Sequence, residues 1–245
     1  MNIVIPMAGR GSRFAEAGYR DPKPLIHVQG RPMIEVVVEN LRPSTPHQYI
    51  FICQHQHVAA FGLHNKLTAI APGCEIICIE DVTEGAACTV LLAKYLIDNA
   101  APLIIANCDQ YIDIDIDTYY HACGSSEGLI MTMPGDDPKW SYVKYDSKGN
   151  IVGVVEKQVV SNEATVGIYH YRHGSDFVRH AEAMIAENER VNGEFYVAPV
   201  YSRIIAAGGK VGTYNIGNNM YGLGIPADLD FFHSTEASRR LLARA

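Results

Sequence analysis

The sequence predicts an α/β fold, a Rossmann-like and mostly parallel sheet with helices on both faces, followed by a β-rich second half. Three observations carry this. Short apolar runs alternate with segments of helical length over residues 1–110; the texture turns strand-rich after about residue 127; and a glycine-punctuated loop follows the first apolar run directly. A chain of 245 residues with 48% hydrophobic and 19% charged residues can bury a substantial core.

In chain order, Ile3, Val4 and Ile5 are apolar and β-branched without alternation, which suits a strand over 2–6 buried on both faces, with Pro6 at its end where the ladder stops. Further strands are expected at 49–53, 75–80 and 103–107, with helices at 32–42, 56–70 and 85–99. Pro32 suits a first helical turn and Glu35 supports that start. Strand-rich segments follow at 128–133, 142–145, 151–155 and 165–171, separated by turn signals such as Asp146 to Asn150. Helices return at 174–189, 196–207 and 226–243. Asp113, Asp115 and Asp117 alternate with isoleucines, the period of a strand with one solvent face.

The net charge of −7 and the scatter of 20 basic residues speak against binding a nucleic-acid polymer. No apolar run reaches the 18 residues of a membrane span and no leader-like segment opens the chain, so the expectation is a cytoplasmic protein without a membrane partner. The 6 cysteines show no C-x-x-C spacing and several sit in apolar runs, as reduced buried thiols do. His55 and His57 lack nearby cysteine partners and read as surface or capping residues.

The chemistry concentrates in Met7-Ala8-Gly9-Arg10-Gly11-Ser12-Arg13-Phe14 and Asp21-Pro22-Lys23-Pro24-Leu25. Without a Cβ, Gly9 and Gly11 let the backbone bring its N–H groups against an oxyanion. Arg13 adds a guanidinium fork and Lys23 a compact charge fixed between two prolines. Together they point to a polyphosphate. Phe14 stands where the dinucleotide fingerprint needs glycine, and the Walker pattern is absent.

Gly9-x-Gly11-Ser12-Arg13, then Pro22-Lys23-Pro24 and Pro32-Met33-Ile34, resembles the sugar-phosphate nucleotidyltransferases, whose signature is G-x-G-[ST]-R followed by P-K-P and a P-M-I helix start. The resemblance runs to about residue 230 and implies one domain, 1–245, with a nucleotide-binding half (1–126) and an acceptor-binding half with C-terminal helices (127–245). It implies transfer of a nucleotidyl group from a triphosphate (CTP, UTP or dTTP) to a sugar phosphate or similar small phosphorylated acceptor, with release of pyrophosphate and with Mg²⁺ as cofactor. The product class suggests polysaccharide biosynthesis. Catalytic roles fall on Arg13, Lys23 and Asp109, which ends the run Leu103 to Cys108 and would be the metal ligand. Nucleotide binding falls on Ala8, Gly9, Gly11, Ser12, Arg13, Gly85 and Ala86, with Glu80 where pyrimidine-reading members carry a glutamine. A carboxylate only accepts hydrogen bonds, which favours the amino edge of cytosine; a shift of one residue would make Asp81 the reader. Glu156, Lys157 and Gly167 resemble the acceptor-site residues, with Trp140 and Tyr142 as stacking candidates.

Two departures stand out. Tyr221-Gly222-Leu223-Gly224-Ile225-Pro226-Ala227-Asp228 has glycine at 222 where the family has a second metal-binding aspartate, leaving Asn219 as a substitute to consider, and Gln158 follows Lys157 where proline is usual. A cytidylyltransferase for a non-sugar alcohol phosphate and a weakly catalytic nucleotide sensor therefore stay open. A homo-oligomer is left open too.

Overall fold

The structure is a computed structural model that describes residues 1–243. Its frame is set by β1 (Asn2–Pro6), from which α1 (Ser12–Glu16), the short hairpin β2 (His27–Val28) and β3 (Arg31–Pro32), α2 (Met33–Asn40) and β4 (Gln48–Gln54) follow. Then come α3 (His55–Phe61), α4 (Leu63–Ile70), β5 (Glu75–Ile79), α5 (Ala86–Leu91), α6 (Lys94–Ile97), β6 (Leu103–Ala106), β7 (Gln110–Ile112) and α7 (Ile116–Ala122). The remainder comprises β8 (Gly128–Pro134), β9 (Ser141–Tyr145), β10 (Ile151–Glu156), β11 (Glu163–Tyr171), α8 (Gly174–Ala186), α9 (Val200–Ala206), β12 (Val211–Asn215), β13 (Met220–Gly222), α10 (Pro226–Ser234) and α11 (Glu236–Ala243).

The central strand explains the layering. Ile3, Val4 and Ile5 are fully buried, and the pleat sends Ile3 and Ile5 into one core with Val36, Val37 and Phe51 while Val4 enters the other with Val90 and Phe177. β1 runs parallel to β4 and β6, and β4 parallel to β5, so the expected parallel sheet occupies the first half. β11 then joins β6 antiparallel and extends the sheet to β8 and β12.

One irregularity in β11 makes the functional cleft. Its second half, Ile168–Tyr171, pairs with β6, whereas Ala164 in its first half pairs with Tyr142 of β9. Between them Thr165, Val166 and Gly167 face the gap where β6 has ended, and β10 pairs with β9 to wall its far side. The sheet thus forks at the carboxyl ends of its parallel strands, the edge where open α/β sheets bind ligands.

Several helices differ from the pattern's expectation. The 56–70 helix breaks at Gly62 in the left-handed region, with φ +59°. The 85–99 helix divides where a tight turn, Ala93 N–H to Val90 carbonyl, separates α5 from α6. The 174–189 helix stops at Ala186 and the 196–207 helix starts only at Val200. The 226–243 helix is interrupted at Thr235, whose Oγ1 accepts a hydrogen bond from the Ser238 N–H and so opens α11 as its cap. The alternation at 113–117 is not a strand. Asp115 caps α7, its carboxylate accepting from the Asp117 N–H at 3.1 Å, and Asp117 in turn accepts from the Ser44 N–H. A capping aspartate and a strand's outer aspartate share the same spacing over so few residues. β12 and β13 carry no alternation strong enough to announce them; β13 exists because it pairs with β7.

Candidate active site

Three connected recesses line the forked edge. The largest, about 580 Å³, is bounded by Ala8, Gly9 and Arg10 of the loop after β1, by Ile79 at the end of β5 and Val82 and Thr83 beyond it, by Gly85, Ala86 and Thr89 at the head of α5, and by Glu194. The second, about 320 Å³, shares Pro6 and Ala86 with it and is walled by Arg13, Trp140, Glu156, Lys157, Gly167 and Tyr196 among others. The third, about 180 Å³, shares Arg13, Asn107, Lys139 and Trp140 with the second and adds Asp109, Gln110, Gly222, Gly224 and Asp228.

Lys23 and Asp109 meet beside these recesses, Nζ to Oδ2 at 2.6 Å, with side chains 21% and 23% exposed. The prolines explain the lysine's placement: Pro22 is extended and Pro24 sits in the first turn of a 3₁₀ segment over Lys23–Leu25, which presents Lys23 to the glycine loop. Burial works to lower the Lys23 ammonium, but the charge and hydrogen bond of Asp109 more than offset it, so it lies above its ordinary value and stays charged. Asp109 stands just past the end of β6, and its carbonyl accepts from the Leu223 N–H at 2.8 Å, tying it to the segment after β13. The Arg13 guanidinium lines the second and third recesses and makes no hydrogen bond or ion pair to a described residue. Burial pushes the neighbouring Cys108 thiol up to about 11, which keeps a thiolate nucleophile out of the site.

Gly85 opens α5 at φ +139° and ψ 170°, a conformation essentially confined to glycine, and a Cβ there would overlap the Phe195 peptide. The close approach lets Phe195 N–H donate to the Glu84 carbonyl and Ala87 N–H to the Phe195 carbonyl, so residues 194–198 bridge the first and second recesses. Gly167, at φ +86°, is likewise required: a Cβ would lie 2.8 Å from Gln110 Oε1 and overlap the Asn107 amide.

In the second recess, burial raises the Glu156 carboxyl above its usual range although the Ser141 hydroxyl donates to it. Lys157 adopts φ +55°, donates to the Tyr196 hydroxyl and lies 4.6 Å over that ring, while its N–H donates to the Trp140 carbonyl. Trp140 carries the Lys139 ammonium 4.9 Å from its ring.

Ala8, Gly9, Arg13, Gly85, Ala86, Asp109, Trp140, Glu156, Lys157 and Gly167 therefore come together around one edge. Gly11 packs its backbone toward Lys23, and Ser12 is an exposed residue opening α1. Glu80 does not reach the recess. It is exposed, one position past the end of β5, and its carboxylate faces His55 Nδ1 at 3.4 Å on the α3 side. Asp81 is also outside the lining, which Ile79, Val82 and Thr83 supply on that side. Tyr142 is fully buried, its hydroxyl donating to the Asp137 carbonyl, so it belongs to the core. Asn107, Gln110, Lys139, Tyr196 and Asp228 line the recesses without having been singled out in the sequence. Asn107 had a readable signal, lying two residues before Asp109 at the same strand end; Tyr196 and Asp228 arrive from distant segments with no spacing to mark them.

A family model described as nucleotidyl transferase matches residues 3–197. The bifunctional protein GlmU of Paraburkholderia phymatum is 24% identical over 99% of this chain and 54% of its own length, and that of Cupriavidus pinatubonensis 26% identical over 85% and 45%. The chain thus spans about half the length of the curated relatives it matches. A nucleoside-diphosphate-sugar pyrophosphorylase from Vibrio cholerae superposes with a TM-score of 0.80 at 26% identity, covering 95% of this chain and 100% of that one. The inositol-1-phosphate CTP transferase from T. maritima shares the fold at a TM-score of 0.72 and 14% identity, over 99% and 95% of the two chains. With its family match over most of its length and its glycine loop, Lys23 and Asp109 set at one sheet edge, the chain belongs to the nucleotidyl transferase family.

Proposed function

We propose that this protein transfers a nucleotidyl group from a nucleoside triphosphate to a sugar phosphate or closely related small phosphorylated acceptor, releasing pyrophosphate. The observation that carries the reading is the Lys23–Asp109 pair with the free Arg13 guanidinium nearby, Asp109 lining the third recess and Arg13 shared by the second and third. An acceptor phosphate oxygen attacks the α-phosphorus; a new P–O bond forms as the bond from the α-phosphorus to the bridging oxygen breaks, and pyrophosphate leaves with that oxygen. Negative charge gathers on the α-phosphate and the leaving group, and the Lys23 ammonium and Arg13 guanidinium, fixed in advance, meet it there. Backbone N–H groups of the loop Ala8 to Gly11 hold phosphate oxygens, and Glu156, Lys157 and Trp140 orient the acceptor. The proposed transfer requires no protein nucleophile.

Asp109 fits a hard cation. Among the described residues no three His, Cys, Asp or Glu side chains gather into a metal cluster, so the protein offers carboxylate oxygens to be completed by phosphate oxygens and water, the donor set Mg²⁺ prefers. When bound, Mg²⁺ would supply Lewis-acid neutralisation of the triphosphate charge.

With Glu80 turned away, nothing at that position favours cytosine, and base choice falls to the Val82 to Gly85 segment. The test is pyrophosphate release with Mg²⁺, crossing the four nucleoside triphosphates against sugar, polyol and alcohol phosphates. Release that requires one triphosphate and one sugar phosphate supports the proposal. Turnover with a non-sugar alcohol phosphate alone, or tight triphosphate binding with no turnover on any acceptor, overturns it in favour of the cytidylyltransferase or the sensor.

A further inference from the structure

Gly222 leaves the family's second metal-binding position without a side chain, yet the third recess is not short of carboxylates. A Cβ at Gly222 would stand 3.1 Å from Asp228 Oδ2, so the Asp228 carboxylate occupies the space into which a side chain at 222 would grow. Two residues on, a Cβ at Gly224 would overlap Asp109 Oδ2. The two glycines thus allow two carboxylates, one from the end of β6 and one from the first turn of α10, to close on a single short stretch of backbone. Both line the same recess.

Their partners differ. Asp109 is joined to Lys23 through Oδ2, whereas the Asp228 carboxylate makes no hydrogen bond or ion pair to a described residue. An aspartate in a first helical turn interacts favourably with the helix dipole, and that alone would explain its presence at position 228. It does not explain Gln110. This side chain lines the same recess and is 5% exposed, and its Nε2 has no hydrogen-bond partner among the described residues. A buried amide donor is costly to leave unpaired, so the recess is shaped for an oxygen-bearing ligand that satisfies it. Asn219 does not serve as the substitute ligand, because its amide donates to the Ile216 carbonyl and lies outside the recess.

We infer that Asp228 is the second carboxylate of the metal site, standing in for the residue missing at 222, and that Gln110 Nε2 donates to an oxygen of the bound phosphate. This rests on the proposed nucleotidyl transfer. The donor set, two carboxylates with phosphate oxygens and water, is the one expected for Mg²⁺.

The test is Mn²⁺ binding to the purified chain, followed by the paramagnetic signal of free Mn²⁺, with and without a nonhydrolysable triphosphate analogue. Asp228→Asn is expected to weaken Mn²⁺ binding by at least ~10-fold, while Asp230→Asn, an exposed neighbour on α10, leaves it unchanged. Combining Gly222→Asp with Asp228→Ala, which clears that space, is expected to bring the affinity back to within ~3-fold of the starting chain, since it returns a carboxylate there. Thermal melts check that each variant folds. An Asp228→Asn variant that binds Mn²⁺ like the starting chain overturns the assignment while leaving the transfer reaction standing. A starting chain that neither binds Mn²⁺ with any triphosphate analogue nor releases pyrophosphate overturns both.

Discussion

Gly85→Ala probes the joint on which both substrate recesses depend. The native backbone at φ +139° and ψ 170° lies in a region that costs a residue with a Cβ about 1–3 kcal/mol. The added methyl would also stand 2.5 Å from the Phe195 N and 2.9 Å from its carbonyl carbon, and backbone atoms cannot swing aside as a side chain tip can. Relief requires parting α5 from the 194–198 segment, which sacrifices the Phe195 N–H to Glu84 carbonyl and Ala87 N–H to Phe195 carbonyl hydrogen bonds, at about 1 kcal/mol each. The expected loss is about 3–5 kcal/mol of unfolding free energy by urea titration, with the melting temperature down by roughly 10 °C. Because Ala86 borders both recesses and Tyr196 to Ala198 line the second, the proposed transfer predicts that KM for triphosphate and acceptor rise together. A loss below about 1 kcal/mol with both KM values unchanged would refute the claim that this backbone contact holds the recesses in register.

Other substitutions separate the parts. Gly167→Ala, which would press on the amides of Asn107 and Gln110, is expected to raise the acceptor KM at least ~10-fold while changing triphosphate KM little, as steady-state kinetics would show. Burial holds the His170 imidazole near 4, against an ordinary value of 6.5, with Nδ1 unpartnered among the described residues. The unfolded chain takes up a proton below about 6.5 and the folded one only near 4, so stability falls as pH drops through that window, by up to about 3 kcal/mol. His170→Phe, between the Tyr119 and Tyr120 rings, should remove that part of the acid slope in denaturation measured from pH 7 to 4; an unchanged slope would contradict the assignment. Cys108, held near 11 and buried, should resist iodoacetamide at pH 8 while the exposed Cys78 is alkylated, as peptide mass mapping would report.

Much of the cleft's edge around Lys23 was legible because its segments set their own local structure. The run Ile3 to Ile5, the loop Gly9 to Arg13 and the prolines around Lys23 each state their local conformation, and Asp109 is placed by the strand that precedes it. That Glu156 and Lys157 line a recess was legible only through resemblance, since alone they are a charged pair at a strand end. What sequence could not show depends on contacts between distant segments. Phe195 meets Gly85 across more than a hundred residues, and Asp228 meets Gly222 only because α10 turns back over β13. Glu80 failed for a smaller reason: one position past the end of β5 decides which side of the sheet edge a side chain faces, and this one faces His55. The aspartates at 113–117 failed because five residues fit a strand period and a helix cap equally well.

The most direct measurement is turnover of Lys23→Ala on the triphosphate and acceptor pair that the wild-type chain uses, alongside its thermal melt and its affinity for the triphosphate. Charge stabilisation by a fixed ammonium predicts a fall in kcat of about 10²–10³, with the fold retained and triphosphate binding weakened far less. Wild-type turnover by a folded Lys23→Ala variant would contradict the account.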